Sequence, residues 1–418
     1  MQNETSVELF RTNIALIRRM ARLVGADVLQ DNYRPNLRTY RTMLFIALYF
    51  VFLIYTLWFH TSGFLQILKT LAPVGMGIQG LYKLYNVLAN RNFFIERGVY
   101  LELFHEENKH HSRSQLLTER MRQTYTLNKL LLVAYFMAVA GYGMYPFYYY
   151  IVYRERMLAI NVLVPGIDSE SVVGFFATVV FQFSLLTTAL IGIAAADSAL
   201  LFYMANLTVL VEVYKGSLQD MNDLLEASKP DLKAIRKRTK EIFAEHYEVI
   251  SYQVELEKGY FGLNFIQITT SVACLAMILF LCYMDNYIPG YGFLIGAFFQ
   301  LLEFCLLGTI FTVQNEDMVL SIYDVKWYLL PKEEKRMWNF MLHKSQNAVN
   351  MTIGGLAILN VETFVVVRRI TEKRLKRTRN KGEAIIMKIC VTYDKESMTS
   401  GIINNPYITP LWRRQVVC

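Results

Sequence analysis

FCLLGTIFTVQNEDMVLSIYDVKWYLLPKEEKRMWNFMLHKSQNAVNMTIGGLAILNVETF, residues 304–364, decides how the rest of the chain is read. An apolar helix over 293–314 runs out into Gln314-Asn315-Glu316-Asp317. A second helical pattern follows, with Val319, Ile322, Tyr323, Lys326, Trp327 and Leu330 on one face. Pro331 stops it, because its ring and missing N–H break the helical ladder. Lys332–Lys344 then reads as a charged helix, and an apolar run over 352–367 closes the stretch. A charged hairpin between two apolar segments is what the connection between two membrane spans looks like.

The rest of the chain supports that reading. Of 418 residues, 54% are hydrophobic and 14% aromatic, more apolar sequence than one water-soluble core takes up. The apolar residues come in membrane-length runs, roughly 42–59, 65–88, 130–151, 173–205, 261–284, 293–314 and the short 352–367. The expected fold is all-α: a polytopic membrane bundle of seven spans, the last one short, with helical extensions on the cytoplasmic side. The run 173–205 is too long for one perpendicular crossing, since 33 residues make about 50 Å of helix against a core of about 30 Å. It must tilt or continue beyond the membrane. Residues 206–258 continue as a charged helical stretch with Lys233, Arg236, Lys237, Arg238 and Lys240.

Charge sets the orientation. The net charge of +8 sits in the loops, where topology rather than nucleic acid binding explains it. Segments 1–41, 89–129, 207–260 and 326–350 together hold 27 Lys and Arg, and the alternate loops 60–64, 152–172 and 285–292 hold two. Basic loops stay in the cytoplasm, so the N-terminus is placed inside. That excludes the usual heptahelical G-protein-coupled receptor, and the NPY triplet at 405–407 lies in a polar tail and reads as a turn. No cleavable signal peptide is expected from an N-terminal segment carrying Arg11, Arg18, Arg19 and Arg22.

Residues that carry chemistry are few. Cys274, Cys282, Cys305, Cys390 and Cys418 show no metal or redox spacing. His105, His110 and His111 near Glu102, Glu106 and Glu107 fit no metal pattern and read as a solvated loop. Sequons at Asn3, Asn206 and Asn350 fall on the side where glycans are not added. Neither a phosphate loop nor a nucleophile elbow occurs, so no catalytic residue, metal or cofactor is expected. Asp197 reads as the inner boundary of its span, and Glu303 and Glu362 are intramembrane acids that should face protein or water. GYGMYPFYYY at 141–150 is an aromatic belt or the wall of an apolar cavity. Chosen by depth and chemistry, the ligand candidates are Ile78, Tyr82, Gly141, Tyr145, Tyr149, Phe176 and Phe183.

Cys305, Gly308, Ser321, Tyr323, Trp327-Tyr328, Pro331, Met341, Ser345-Gln346, Gly354-Gly355 and Glu362-Thr363-Phe364 resemble, in order, the C-terminal signature of insect odorant receptors. GIQGLYKLY at 77–85 is similar to a segment of the same family. The resemblance implies a ligand-selective subunit that binds a small volatile apolar odorant. Such a subunit assembles with a common co-receptor into a heterotetrameric cation channel in the lipid of a sensory neuron's plasma membrane. It implies a cytoplasmic N-terminal segment (1–41), six spans with the ligand pocket in their outer half (42–314), and a cytoplasmic anchor where subunits meet (315–350). Tyr323, Trp327, Tyr328, Pro331, Ser345 and Gln346 are the anchor candidates. A pore-lining helix over 351–367 would carry Glu362, Phe364 and Val366. The alternatives are a gustatory-type ligand-gated channel and a secondary transporter, the latter calling for an internal repeat that is not found.

The resemblance stops after Val367. RRITEKRLKRTRNK and the residues to Cys418 form an atypical basic tail (368–418), expected from alternative splicing, a retained intron or a faulty gene model. The run 352–367 gives only about 24 Å of helix, and the basic residues beyond it would cross against the charge rule.

Overall fold

In the computed structural model the described residues are 5–30, 33–59, 63–109, 113–169, 171–227, 231–285, 287–365 and 369. Val366 and the tail from 370, with His110, His111, Asn3, Cys390 and Cys418, lie outside them. The regular structure of the described residues is helical, apart from one isolated bridge between Thr352 and Ile358. Ten α-helices are named in chain order: α1 Ser6–Val24, α2 Leu37–Phe59, α3 Phe64–Leu71, α4 Val74–Ala89, α5 Arg91–Glu107, α6 Ser114–Tyr153, α7 Val172–Glu226, α8 Leu232–Asp285, α9 Ile288–Tyr323 and α10 Lys332–Gln346. Five of them, α2, α6, α7, α8 and α9, are long and apolar enough to cross a membrane. The chain is a helical membrane bundle.

The helices run further than hydropathy alone places them. α7 and α8 continue far past their apolar windows, as the charged stretch 206–258 led one to expect. α9 does not end at Gln314. Asn315 there accepts from Gln253 Nε2 at 2.7 Å and donates to the Val349 carbonyl at 2.8 Å, so its polarity is satisfied inside the packing and the helix continues to Tyr323. The separate helix expected over 319–330 is therefore the end of α9 followed by a 3-10 turn, Trp327–Leu329. The span expected over 65–88 is broken at Pro73, which cannot donate an N–H, into α3 and α4.

At the N-terminus, Thr5 and Glu8 form a reciprocal capping box and Gly25 closes α1 at φ 75°. Leu9, Phe10 and Ile17 bury one face of α1 against α6 and α7, so the segment is more than a basic leader. The loop expected around His105 is likewise helix: His105 is fully buried in α5, with Nε2 3.0 Å from Asn206 Oδ1. Asn206, one of the sequon residues, is buried as well.

The best-packed region is the end of the bundle that carries α10. There α7 and α8 turn back on each other, and Tyr214, Met221, Ile242, Phe311, Ile322 and Trp338 join one continuous core. Trp338 Nε1 donates to the Ile322 carbonyl at 3.0 Å, docking α10 on α9. At the opposite end residues 154–169, none of them helical, fold back over the bundle. Gln182 Nε2 donates to the carbonyls of Ile160 and Val162 at 2.8 and 2.9 Å, and Tyr142 donates to Ala159 at 2.7 Å. Burial within the apolar windows falls from 44% in α8 to 11% in α6, so α8 is central and α6 faces outward.

The run 351–360 departs from the expected pore helix. Gly354 and Gly355 both take left-handed φ, 58° and 76°, making a tight turn closed by Ile353 N–H to Ala357 O at 2.8 Å and Leu359 N–H to Met351 O at 2.8 Å. Helix begins only at 361–365, where Asn360 Oδ1 caps it by accepting the Thr363 N–H at 2.8 Å. The paired glycines and the capping Asn explain the later start.

Candidate functional site

Between α1, α2, α4, α6, α7 and α9 the bundle holds an apolar cavity of about 250 Å³. Tyr49, Met76, Tyr142, Leu186 and Phe293 wall it near the 154–169 segment, and Ile160 of that segment caps it. Deeper in, the wall turns polar at Lys83, Tyr135 and Gln300. Lys83 Nζ lies 2.5 Å from Asp197 Oδ1, and the two side chains are 3% and 1% exposed. Tyr135 donates to Asp197 Oδ2 at 2.6 Å and Gln300 Nε2 to the same oxygen at 3.4 Å. Asp197 thus sits inside the bundle in an ion pair, rather than at a wetted boundary. A lone buried carboxylate is costly, and three donors from α4, α6 and α9 are what keep it there. Lys83 also stands 5.3 Å from the Phe304 ring centroid.

Beyond Tyr135 and Gln300 lies a wider groove of about 920 Å³ between α6 and α9. Glu303 lines it, and its buried Oε1 has no hydrogen-bond partner among the described residues.

The residues singled out from sequence are distributed unevenly. Gly141 and Tyr145 line the α6–α9 groove, with the Tyr145 hydroxyl 3.0 Å from Met157 Sδ. Ile78, Tyr82, Tyr149, Phe176 and Phe183 are not among the residues lining either space. The Tyr82 hydroxyl presses on Gly262 of α8, Phe183 packs on Gly143, Tyr149 stacks on Tyr145 and Tyr153, and Phe176 meets Phe147 and Tyr150. Tyr49, Met76, Tyr135, Tyr142 and Gln300 were missed, because which side of a helix faces a cavity depends on its neighbours. The one available signal was two opposite charges, Lys83 and Asp197, inside apolar runs.

At the other end Tyr323 and Tyr328 are 64% and 59% exposed and Gln346 is exposed, while Trp327 is half-buried against the core. Pro331 precedes α10 directly. Ser345 is buried, its Oγ sharing a 2.7 Å hydrogen bond with His246 Nε2. Burial, and then the Lys344 ammonium, push His246 down to about 4. Glu362 is exposed, and Phe364 packs on Phe298 with ring centroids 5.5 Å apart. Thr352 N–H and Oγ1 both donate to Glu257 of α8, tying the glycine turn to that helix. Burial raises Glu257, and these bonds oppose the shift.

Fold and cavity together define a multi-span helical membrane protein with an apolar chamber between its helices. A family model described as 7tm Odorant receptor matches residues 63–371, and the chain belongs to that family. It is similar to the putative odorant receptor 83c of Drosophila melanogaster, 21% identical over 387 residues, covering 88% of this chain and 96% of that one. The fold is shared with the insect olfactory receptor OR5 of Machilis hrabei at a TM-score of 0.71 and 13% identity, over 89% of this chain and 98% of that one. The same receptor in complex with eugenol gives 0.70 and 14%, over 87% and 96%.

Proposed function

We propose that this chain is the ligand-selective subunit of an odorant-gated cation channel, assembled with a co-receptor in the plasma membrane of a sensory neuron with its N-terminus in the cytoplasm. The apolar chamber between the helices of an odorant receptor fold carries the reading. At about 250 Å³ it falls just below the ~300–1,000 Å³ of drug-sized pockets, which suits a smaller molecule. The receptor of like fold from Machilis hrabei was solved with eugenol. Lys and Arg concentrate in the segments that join the helices at the α10 end, in favour of a cytoplasmic anchor there. Leu320, Tyr323, Tyr328 and Phe340 leave apolar surface exposed at that end, as a subunit contact requires.

α9 connects the parts. Phe293 and Gln300 line the chamber, while Gly308 and Thr309 of the same helix hold the turn from which 361–365 begins. A ligand that fits one setting of α9 better than another shifts the turn with it, and only that difference in affinity opens the pore. Currents recorded from cells expressing the chain with and without a co-receptor, across a panel of volatiles, test the reading. Odorant-evoked cation current only with both subunits is expected; silence of the pair to every volatile refutes it. A tag at Met1 should be reached by antibody only after permeabilisation.

A further inference from the structure

Resting on that reading, we infer that the Lys83–Asp197 pair is the polar floor of the ligand chamber and selects neutral molecules carrying an acceptor oxygen (ketones, esters, aldehydes) over hydrocarbons of the same shape. Three observations carry it. Lys83 lines the chamber beside Tyr135 and Gln300, so its side chain is part of the wall a ligand meets. An ammonium has three N–H donors, and among the described residues its one hydrogen-bond acceptor is Asp197 Oδ1. Asp197 in turn accepts from Lys83, Tyr135 and Gln300, which take up three of a carboxylate's roughly four acceptor sites, and it is not among the residues lining the chamber, so the floor offers a ligand donors rather than a carboxylate.

The charge balance narrows the class further. The pair is neutral as a unit, as is the Arg18–Asp27 pair that also lines the chamber, so an anionic ligand would leave a net buried charge, and a cationic one would face the ammonium. A carbonyl oxygen takes up a spare N–H with no change of charge, while its alkyl body lies along Met76, Leu186 and Phe293. A hydrocarbon fills the same space but leaves the buried ammonium short of acceptors, which costs free energy.

The test pairs carbonyl compounds of five to ten carbons with their methylene isosteres, in which C=CH₂ replaces C=O, on the receptor with its co-receptor. The carbonyl members should act at concentrations roughly 10- to 100-fold lower, the range of one hydrogen bond to a charged group. In the double variant Lys83→Met/Asp197→Asn, which removes both charges together, the ratio should collapse toward one. Met76→Phe should weaken both members alike and keep the ratio, and it serves where the double variant does not reach the surface. Equal potency of isosteres on the wild type, or an undiminished ratio in a surface-expressed double variant, overturns the inference. So does silence to the whole series while amines or acids open the channel, which would leave the receptor reading standing. Silence to every volatile overturns both.

Discussion

Gly308 is where α9 and the turn before the seventh helix touch, and a single methyl group there tests how tightly the two are joined. A Cβ at Gly308 would lie 2.0 Å from the Leu359 carbonyl oxygen and 2.8 Å from Leu359 Cγ. Ordinary C···O contacts run at about 3.3–3.6 Å, so the turn must retreat by at least ~1.3 Å. That retreat would break the 3.0 Å bond from Val361 N–H to Thr309 Oγ1, worth about 1 kcal/mol. Overpacking adds ~1–3 kcal/mol, and the helix propensity gained by Gly→Ala returns only ~0.5–1. Gly308→Ala should therefore destabilise by about 1–3 kcal/mol. On the same helix a Cβ at Gly296 meets nothing within 4 Å, so Gly296→Ala should be neutral or stabilising. Apparent Tm of the purified protein in one detergent reads both: a fall of a few degrees for the first and none for the second. Equal shifts for the two variants would refute the close contact between α9 and Leu359.

His246 sets a pH dependence. Its value in the fold, about 4, lies below the ordinary ~6.5, so the unfolded chain takes up the proton first. Stability is complete above pH 6.5 and declines as the pH falls toward 4, by up to about 3 kcal/mol; acid unfolding followed by Trp fluorescence should be flatter over that window in His246→Gln. Trp338→Ala removes a side chain only 1% exposed together with its bond to Ile322, and should cost ~3–5 kcal/mol, seen as lost surface expression. Tyr328→Ala and Phe340→Ala alter side chains 59% and 57% exposed, so Tm should hold while co-purification of a partner subunit falls. Asp197→Ala alone strands the Lys83 ammonium and should destabilise by ~3–5 kcal/mol, far more than the neutralised pair.

The membrane bundle was legible in the sequence because a water-soluble core seldom needs several apolar runs of membrane length with basic loops between them. The α9–α10 region was legible in outline: the charged helix after Pro331 appears where the residues place it, although the helix before it ends at Tyr323 rather than at the proline. What the residues did not reveal depends on contacts distant in sequence. Gln314-Asn315-Glu316-Asp317 reads as a helix end, but Gln253 and Val349 satisfy Asn315 and let α9 pass through. The apolar run from 352 reads as helix until the paired glycines and Asn360 are given their backbone roles. The chamber was the hardest part. Aromatic residues near Tyr145 signalled an apolar lining, yet Tyr149, Phe176 and Phe183 spend their rings on Tyr145, Tyr150 and Gly143 of α6. Tyr49 and Tyr142, no different in type, face the space.

α7 runs unbroken for 55 residues, about 82 Å at 1.5 Å per residue, from the capped end of the bundle to its packed base. Asp197 lies close to the middle of that rod, held by Lys83, Tyr135 and Gln300. A rod pinned at its centre is a balance beam: a tilt of about 2° moves each tip by about 1.4 Å in opposite directions, given a half-length of about 41 Å. The buried ion pair would then act as a fulcrum, turning a displacement at the chamber mouth into an equal and opposite one at the base.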